Sequence, residues 1–321
     1  LKIDFTATTD GRLDKCILEA LSDVAPTFEV SRSKLEHFID TTGVFINGKL
    51  QKKNGTKIKV GDQISFVWTD QVSTSNPVSY EFPITILYED DDLIAINKPA
   101  GLTVHPGAGN PDKTLLNALV SYYEKQNIDL PAQRCGIVHR LDKDTSGVLL
   151  VAKNDMSHAS LQRQFAERKT KKEYRALVYL PERGSRELRE HDEGVISAPL
   201  ARSKINRLKM AVNEEGKEAI TAWKIIERLH HAALISIDLK TGRTHQIRAH
   251  MESIKSGVIG DPLYNEWTHI PAALKRDVDF IGRQALHAYQ ITVEHPNTKK
   301  DVTFTAPLPD DFEKLILLFR S

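Results

Sequence analysis

The run His139-Arg140-Leu141-Asp142-Lys143-Asp144-Thr145-Ser146-Gly147 sets a carboxylate among cations, between Gly136-Ile137-Val138 and the apolar stretch 148–152. Buried strand residues follow at once, so Asp142 is expected at the rigid edge of a sheet rather than on a free loop. A carboxylate held that way can stabilise or trap positive charge developing on a substrate. The plain reading is an Arg140/Asp142 surface ion pair ahead of a strand. Asp144 is the rival carboxylate, but two residues on it is expected to face away or to cap the turn before Thr145-Ser146. No role for His139 follows from the sequence.

A second chemical segment runs from Lys240 to Met251. Gly242 reads as freeing a tight strand-to-helix turn, and Thr244 as capping a helix that carries Ile247, Met251 and Ile254. Arg248 then falls in the first two helical turns, where a cation adds to the positive end of the macrodipole at a cost of roughly 0.3 kcal/mol or more. It needs an anion. A phosphate or a surface carboxylate is the plain candidate, and Asp142 is the sharper one. An Asp142/Arg248 pair keeps the carboxylate ionised even when partly buried, because an opposite charge lowers its pKa while desolvation raises it.

Other motifs carry less. Residues 107–114 look like a phosphate loop, yet Asp112 stands where a second glycine should precede the lysine, and an acid there repels phosphate. A plain turn is expected. His245 and His250 are five apart, not the four that align two imidazoles on one helical face, so both read as structural or polar-contact histidines. Cys16 and Cys135, far apart and outside any CxxC spacing, argue against a disulfide framework and a zinc site. No metal and no cofactor are expected.

These groups need elements to hold them, and 321 residues, 40% of them apolar, allow one large domain and a smaller one. No run reaches the ~18 apolar residues of a membrane span, and the opening Leu1-Lys2-Ile3-Asp4-Phe5-Thr6 lacks a signal peptide's order, so a cytoplasmic location without membrane contact is expected. The net charge of +1 hides local positive fields. Residues 161–175 hold six basic side chains against Glu167 and Glu173, and Arg202, Lys204, Arg207 and Lys209 follow without an acid among them. A polyanionic partner explains both stretches, and a solvated helix face explains either alone.

Residues 1–70 read as a small αα-then-β module with helices at 12–21 and 31–40. Ser31 or Ser33 caps the second helix, Leu35, Phe38 and Ile39 stripe it, and Thr42-Gly43 ends it. Val44-Phe45-Ile46 runs into the tight turn Asn47-Gly48, and residues 57–64 make another strand-turn-strand. Residues 71–82, polar and containing Pro77, read as a linker. From 83 to 321 strands and helices alternate irregularly, which predicts an α+β domain with a mixed, mainly antiparallel sheet flanked by helices. Within it, 84–88 and 93–97 form a hairpin whose acidic tip Glu89-Asp90-Asp91-Asp92 keeps the turn solvated. Asn154 or Asp155 caps a helix bearing Leu161 and Phe165, residues 173–180 alternate so that Tyr174 points with Ala176, Val178 and Leu180, and 234–239 form another alternating strand.

Arg12-Leu13-Asp14, Ser31-Arg32-Ser33, Gly43-Val44-Phe45-Ile46-Asn47-Gly48 and Val60-Gly61-Asp62-Gln63-Ile64 together resemble the S4 RNA-binding domain. That likeness makes Arg32, Lys34, Lys49, Lys52 and Lys53 candidates to face RNA phosphates. Further on, residues 97–106, the Asp142 segment, Lys171-Lys172-Glu173-Tyr174, residues 216–221, Thr241-Gly242-Arg243-Thr244-His245-Gln246-Ile247-Arg248 and Gly260-Asp261-Pro262-Leu263-Tyr264 resemble, in that order, the RluA/RluD family of RNA pseudouridine synthases. The S4-like module makes the RluD-like branch the nearer match.

The resemblance implies an isomerase that cleaves the N1–C1′ bond of a flipped uridine, turns the base and rejoins it through C5. The implied substrate and partner is large-subunit, 23S-type ribosomal RNA, with no obligate protein partner. It gives Asp142 the role of nucleophile or charge stabiliser, pairs Arg248 with it, stacks Tyr174 on the base with a part in C5 proton removal, and packs Ile247 against the base. Arg140 fills the vacated space. Arg163, Lys171 and Lys172 are the RNA-binding candidates of this domain. Acylal, glycal and C6-addition routes all stay open. The competing functions are a non-catalytic RNA-binding or ribosome-assembly factor and a glycosidase, which requires water entry.

Overall fold

A computed structural model describes residues 2–24, 32–68, 77–107, 109–128, 131, 134–180, 186–264 and 272–320. The chain separates into two units, 1–76 and 77–321. In the first, the order is β1 (Lys2–Thr6), β2 (Gly11–Arg12), α1 (Leu13–Val24), α2 (Arg32–Thr41), β3 (Val44–Ile46), β4 (Lys49–Gln51), β5 (Lys57–Ile58) and β6 (Gln63–Val67). Leu13, Ile17 and Leu21 recur at helical spacing and meet Leu35, Phe38 and Ile39 in one core. Strand β1 is an addition to the sequence reading. It pairs antiparallel with β6, and the period-2 alternation of Lys2-Ile3-Asp4-Phe5-Thr6, with Ile3 buried and Phe5 half-buried against the core, is the signal that marks it.

The second unit runs β7 (Thr85–Glu89), β8 (Leu93–Lys98), α3 (Leu115–Gln126), β9 (Ser146–Ala152), α4 (Asp155–Ala166), β10 (Lys171–Tyr179), α5 (Arg186–Glu190) and β11 (Glu193–Ser197). There follow β12 (Leu200–Arg202), β13 (Met210–Val212), β14 (Ile220–Leu229), β15 (Ala232–Leu239), α6 (Gln246–Ser253), α7 (Ala272–Ile281), β16 (Leu286–Glu294), β17 (Asp301–Thr305) and α8 (Asp310–Arg320). Nine strands form one sheet in the order β11-β14-β15-β10-β16-β9-β8-β7, with β17 beside β16. The pair β16/β9 is parallel and the other described pairs in it are antiparallel, so the mixed α+β sheet is as expected.

Both faces of the central strands are covered, which makes them continuous apolar runs. Along β8 and β9, Ile94, Ile96, Leu149 and Val151 enter the core shared with α3, while Leu93, Ala95, Val148 and Leu150 enter the core shared with Leu161 of α4. On β10 the alternation that includes Tyr174 gives way for the same reason: residues 176–179 are all buried. Asn154 caps α4, its Oδ1 accepting the Ser157 N–H at 2.8 Å. The end of the 107–114 stretch is likewise a helix start, with Thr114 and Asn117 forming a capping box on α3.

The acidic hairpin tip is not solvated as expected. Asp92 is buried and accepts hydrogen bonds from Ser157 Oγ at 3.0 Å and Asn154 Nδ2 at 3.2 Å. Asp90 accepts from Tyr88 and from the N–H groups of Asp92 and Leu93, and pairs with His295 Nε2 at 2.8 Å. Burial opposes its charge, but these bonds prevail and bring its pKa to about 2. The tip thus locks β7–β8 onto the β16–β17 turn. No helix among the described residues is long and apolar enough to cross a membrane.

Candidate active site

Register across three strands assembles the site. Tyr174 on β10 stands opposite Ala288 on β16, and Ala288 lies beside Gly147 on β9 across the parallel join. Gly147 sits at φ 115, where a Cβ would come within 2.2 Å of the Ala288 carbonyl oxygen, so this approach requires glycine. Asp142 arrives on the turn just before β9, its carbonyl accepting the Thr145 N–H at 3.2 Å. A cavity of about 110 Å³ opens among Asp142, Tyr174, Ile247 and Arg248, and Asp142 is the only carboxylate among the described residues that line it. Burial, then the charge of Asp142, raise the Tyr174 phenol above its usual pKa, so it is neutral.

The turn leading into α6 differs from its sequence reading. His245, not Thr244, holds the N-cap position, in the left-handed region at φ 52 and without a side-chain cap bond, while Thr244 is exposed. Gln246 ties the turn instead. Its Oε1 accepts from Thr241 Oγ1 at 2.8 Å and from the Arg243 N–H at 3.0 Å, and its Nε2 donates to the Ile220 carbonyl at 3.0 Å. Gly242 does not occupy the left-handed region, so the backbone there does not demand glycine, and a Cβ would meet nothing within 4 Å.

Arg248 is the third residue of α6, at the end where a cation is disfavoured, and two carboxylates answer it. Nε and Nη2 donate to Asp261 at 2.6 and 2.8 Å, and Nη1 donates to Asp142 Oδ2 at 3.2 Å. Burial works against the guanidinium charge, but the bonds and charge of Asp261 and then Asp142 hold its pKa above the ordinary value. Asp142 is therefore not the main partner of Arg248. Asp261 is, and its Oδ1 also accepts the N–H groups of Leu263 and Tyr264, both at 2.9 Å. Oδ1 of Asp142 has no hydrogen-bond partner among the described residues, so one oxygen is anchored and the other is available.

Two groups, one buried and one half-buried, fix the turn that carries Asp142. Lys98, fully buried, donates to the carbonyls of Pro99 at 2.7 Å and of Leu102 and Lys143 at 2.9 Å, the last being the residue after Asp142. Burial pulls its pKa down to about 7, against the charges of Asp144 and Asp142. His139 acquires a role here. Its Nε2 accepts the Leu150 N–H at 2.8 Å and its ring stacks on Phe165 at 4.6 Å, pinning the motif to β9. Burial takes its pKa down to about 3, so the imidazole is neutral.

Asp142, Tyr174, Arg248, Ile247 and Arg140 all line the one cavity, with Ile247 buried and Arg140 exposed. His245 lines it too and makes polar contacts: Nε2 lies 3.9 Å from Asp142 Oδ2, and Nδ1 lies 3.1 Å from the Tyr264 hydroxyl. His250 is structural, contacting Thr221 Oγ1 at 2.8 Å and the Ala198 carbonyl at 2.9 Å. Asp144 does not line the cavity, and its carbonyl accepts from Arg283 at 3.4 Å. Lys172 is half-buried and lines an adjoining cavity, whereas Arg163 and Lys171 are exposed and line neither. In the first unit Lys49 and Lys53 are exposed, and Lys52 donates to the Thr41 carbonyl at 2.9 Å, closing the end of α2. The side chains of Arg32 and Lys34 lie outside the described residues.

Asp261 and Lys98 had no role of their own in the sequence reading, and His245 only a structural or polar-contact one. The available signals were a lysine ending the apolar strand β8 and an aspartate pinned between Gly260 and Pro262.

Residues 92–253 match the model of the RNA pseudouridylate synthase family, a span that holds Asp142, Tyr174 and Arg248. The chain is 37% identical to an uncharacterised RNA pseudouridine synthase, YlyB, of Bacillus subtilis, over 98% of this chain and 97% of that protein. It is 40% identical to ribosomal large subunit pseudouridine synthase D of Zymomonas mobilis, over 95% of this chain and 92% of the relative. Among solved structures, human RNA pseudouridylate synthase domain containing 4 shares the fold with a TM-score of 0.58 at 22% identity, covering 74% of this chain and 93% of its own. The single-carboxylate cavity thus lies inside a segment shared with these enzymes, and the chain belongs to the RNA pseudouridylate synthase family, whose members isomerise uridine to pseudouridine in RNA.

Proposed function

We propose that the chain isomerises uridines of large-subunit ribosomal RNA, with Asp142 as the carboxylate that meets C1′ of a flipped uridine. The observation that carries this reading is the state of Asp142: among the described residues the only carboxylate lining the cavity, anchored through Oδ2 by Arg248, with Oδ1 available. Breaking the N1–C1′ bond sends its electron pair to the base and leaves positive charge at the sugar, which Asp142 stabilises or traps. Hydrolysis normally uses a second carboxylate to activate water. No second carboxylate is among the described residues that line this cavity; in the proposed reaction the base is retained, turns, and bonds to C1′ through C5, and the C5 proton leaves.

Tyr174 and Ile247 stand on the cavity wall where the base turns. A phenol held neutral is not a phenolate base, so its hydroxyl relays the C5 proton, taking it up as the phenolic proton passes to solvent water. Extruding a uridine from a stack costs a few kcal/mol, and exposed Arg140 at the cavity is placed to fill the gap. The S4-like first unit, with exposed Lys49 and Lys53, supplies sequence-independent phosphate contacts. The names of the relatives support ribosomal RNA as the substrate.

RNA carrying tritium at uridine C5 tests the assignment. The native protein releases tritium to water, and Asp142→Asn releases none while still binding RNA. Full activity in that variant sinks the assignment. Mapping pseudouridines in total RNA from cells with and without the gene identifies the substrate, and an unchanged large-subunit pattern rejects the ribosomal reading.

A further inference from the structure

A second cavity, of about 390 Å³, adjoins the Asp142 cavity and shares Arg140, Tyr174, Leu239, Gly242 and Arg243 with it. No carboxylate is among the described residues that line it, though several cations are. Three of these are already engaged: Arg168 pairs with Glu218 at 2.9 Å, Lys240 with Asp238 at 2.5 Å, and Arg243 Nε donates to the Glu218 carbonyl at 3.0 Å. Lys172 is different. It is half-buried, its Nζ lies 5.9 Å over the Phe165 ring, and no carboxylate pairs with it among the described residues. A partly desolvated ammonium facing open space is stabilised by an incoming anion. Burial lowers its pKa, and the charge of Asp238, which is too far away to form an ion pair, only partly offsets this.

Gly242 gives an independent sign. It belongs to the wall common to both cavities, its backbone does not need glycine, and a Cβ would project into open space. A glycine without a backbone reason, beside a cavity, marks a close approach by something outside the chain.

Resting on the proposed function, we infer that the second cavity holds the phosphodiester joining the flipped uridine to one neighbouring nucleotide. Lys172 is its principal cation, and the strand passes over Gly242. Such a contact sets the register of the RNA without reading sequence. Lys172 is thus a substrate-positioning residue whose loss affects KM far more than kcat.

The test is a chemical double-mutant cycle on a C5-tritiated substrate RNA in which the linkage 5′ or 3′ of the target uridine is a neutral methylphosphonate. For the native protein one of the two replacements raises KM about tenfold, and Lys172→Gln raises KM about tenfold on all-phosphate RNA. Lys172→Gln then shows no further rise with that methylphosphonate, and Lys172→Arg recovers most of the loss. Gly242→Val raises KM comparably at an unchanged melting temperature. The inference fails if the Lys172→Gln and methylphosphonate penalties multiply at both linkages, or if Gly242→Val keeps the native KM. Absence of tritium release by native protein from unmodified RNA overturns the function itself, a result distinguishable from failure of this subsite alone.

Discussion

Arg248 and Asp261 form a buried bidentate pair, Nε to Oδ2 at 2.6 Å and Nη2 to Oδ1 at 2.8 Å, which leaves Nη1 to reach Asp142. The pair aims the guanidinium, and the guanidinium aims the carboxylate. Asp261 is therefore a positioning residue one step removed from the substrate. Asp261→Asn leaves a buried arginine short of a counter-charge, a change that costs about 3–5 kcal/mol when one partner of a buried pair is removed. The expected outcome is a lower denaturant midpoint together with a kcat reduced about tenfold or more, while RNA affinity holds. An unchanged kcat in folded Asp261→Asn removes Asp261 from the positioning chain.

Tyr174→Phe separates stacking from proton transfer. The ring and its packing stay, and only the hydroxyl is lost. If that hydroxyl passes the C5 proton, kcat falls about 100-fold with RNA affinity unchanged, in the range of a single acid–base group. Deuterium at C5 then slows the variant in single-turnover measurements. A variant that turns over at the native rate leaves Tyr174 with stacking alone.

The sequence and the site correspond unevenly, for physical reasons. Asp142 and Arg248 were legible together because local rules fail at Arg248: a cation at a helix N-terminus needs an anion. The strand period of Tyr174 told only which way the side chain points, and its role came from the resemblance of Lys171-Lys172-Glu173-Tyr174. Asp261 was not, since a bidentate bond is a fact of orientation between segments, and nothing in Gly260-Asp261-Pro262 sets that orientation. His245 and His250 were read alike as structural or polar-contact histidines, because five-residue spacing disqualifies a two-histidine metal face but says nothing about each imidazole alone. His245 stands at the N-cap, turned toward Asp142, while His250 points into the core. Gly242 was read as a backbone device, and the open space in front of it is visible only in three dimensions.

His139 makes an acid-sensitive lock. Its Nε2 accepts the Leu150 N–H, so protonation destroys the bond, and its pKa is depressed from 6.5 to about 3. Between those values the unfolded chain binds a proton that the native state refuses, so stability rises with pH. The contribution is full above pH 6.5 and is lost as pH falls toward 3. His287, lowered to about 4 by burial, acts in the same direction over a narrower window. Melting temperatures of the native protein and His139→Gln, compared from pH 7 to 4.5, are expected to converge toward the acid end. Parallel curves would show that His139 does not carry this dependence.

Gly147→Ala tests whether the parallel join holds the site together. The added Cβ would lie 2.2 Å from the Ala288 carbonyl oxygen and 2.7 Å from its carbon and nitrogen, all backbone atoms that cannot rotate aside, and φ 115 is itself costly for alanine. Relief requires β9 and β16 to part, which carries Asp142 at one end of β9 away from Tyr174, whose partner across the sheet is Ala288. Gly242→Ala is the internal control, because its Cβ meets nothing within 4 Å. In urea denaturation Gly147→Ala should lose about 3 kcal/mol or more, and Gly242→Ala about 0.5 kcal/mol or less. At a temperature where Gly147→Ala remains folded, its kcat should fall further than its KM rises, since the walls that carry Asp142 and Tyr174 are displaced while the basic side chains proposed to meet RNA phosphates are not. A Gly147→Ala protein with native stability and kcat would mean that the sheet yields at the join and that Asp142 and Tyr174 are positioned independently of it.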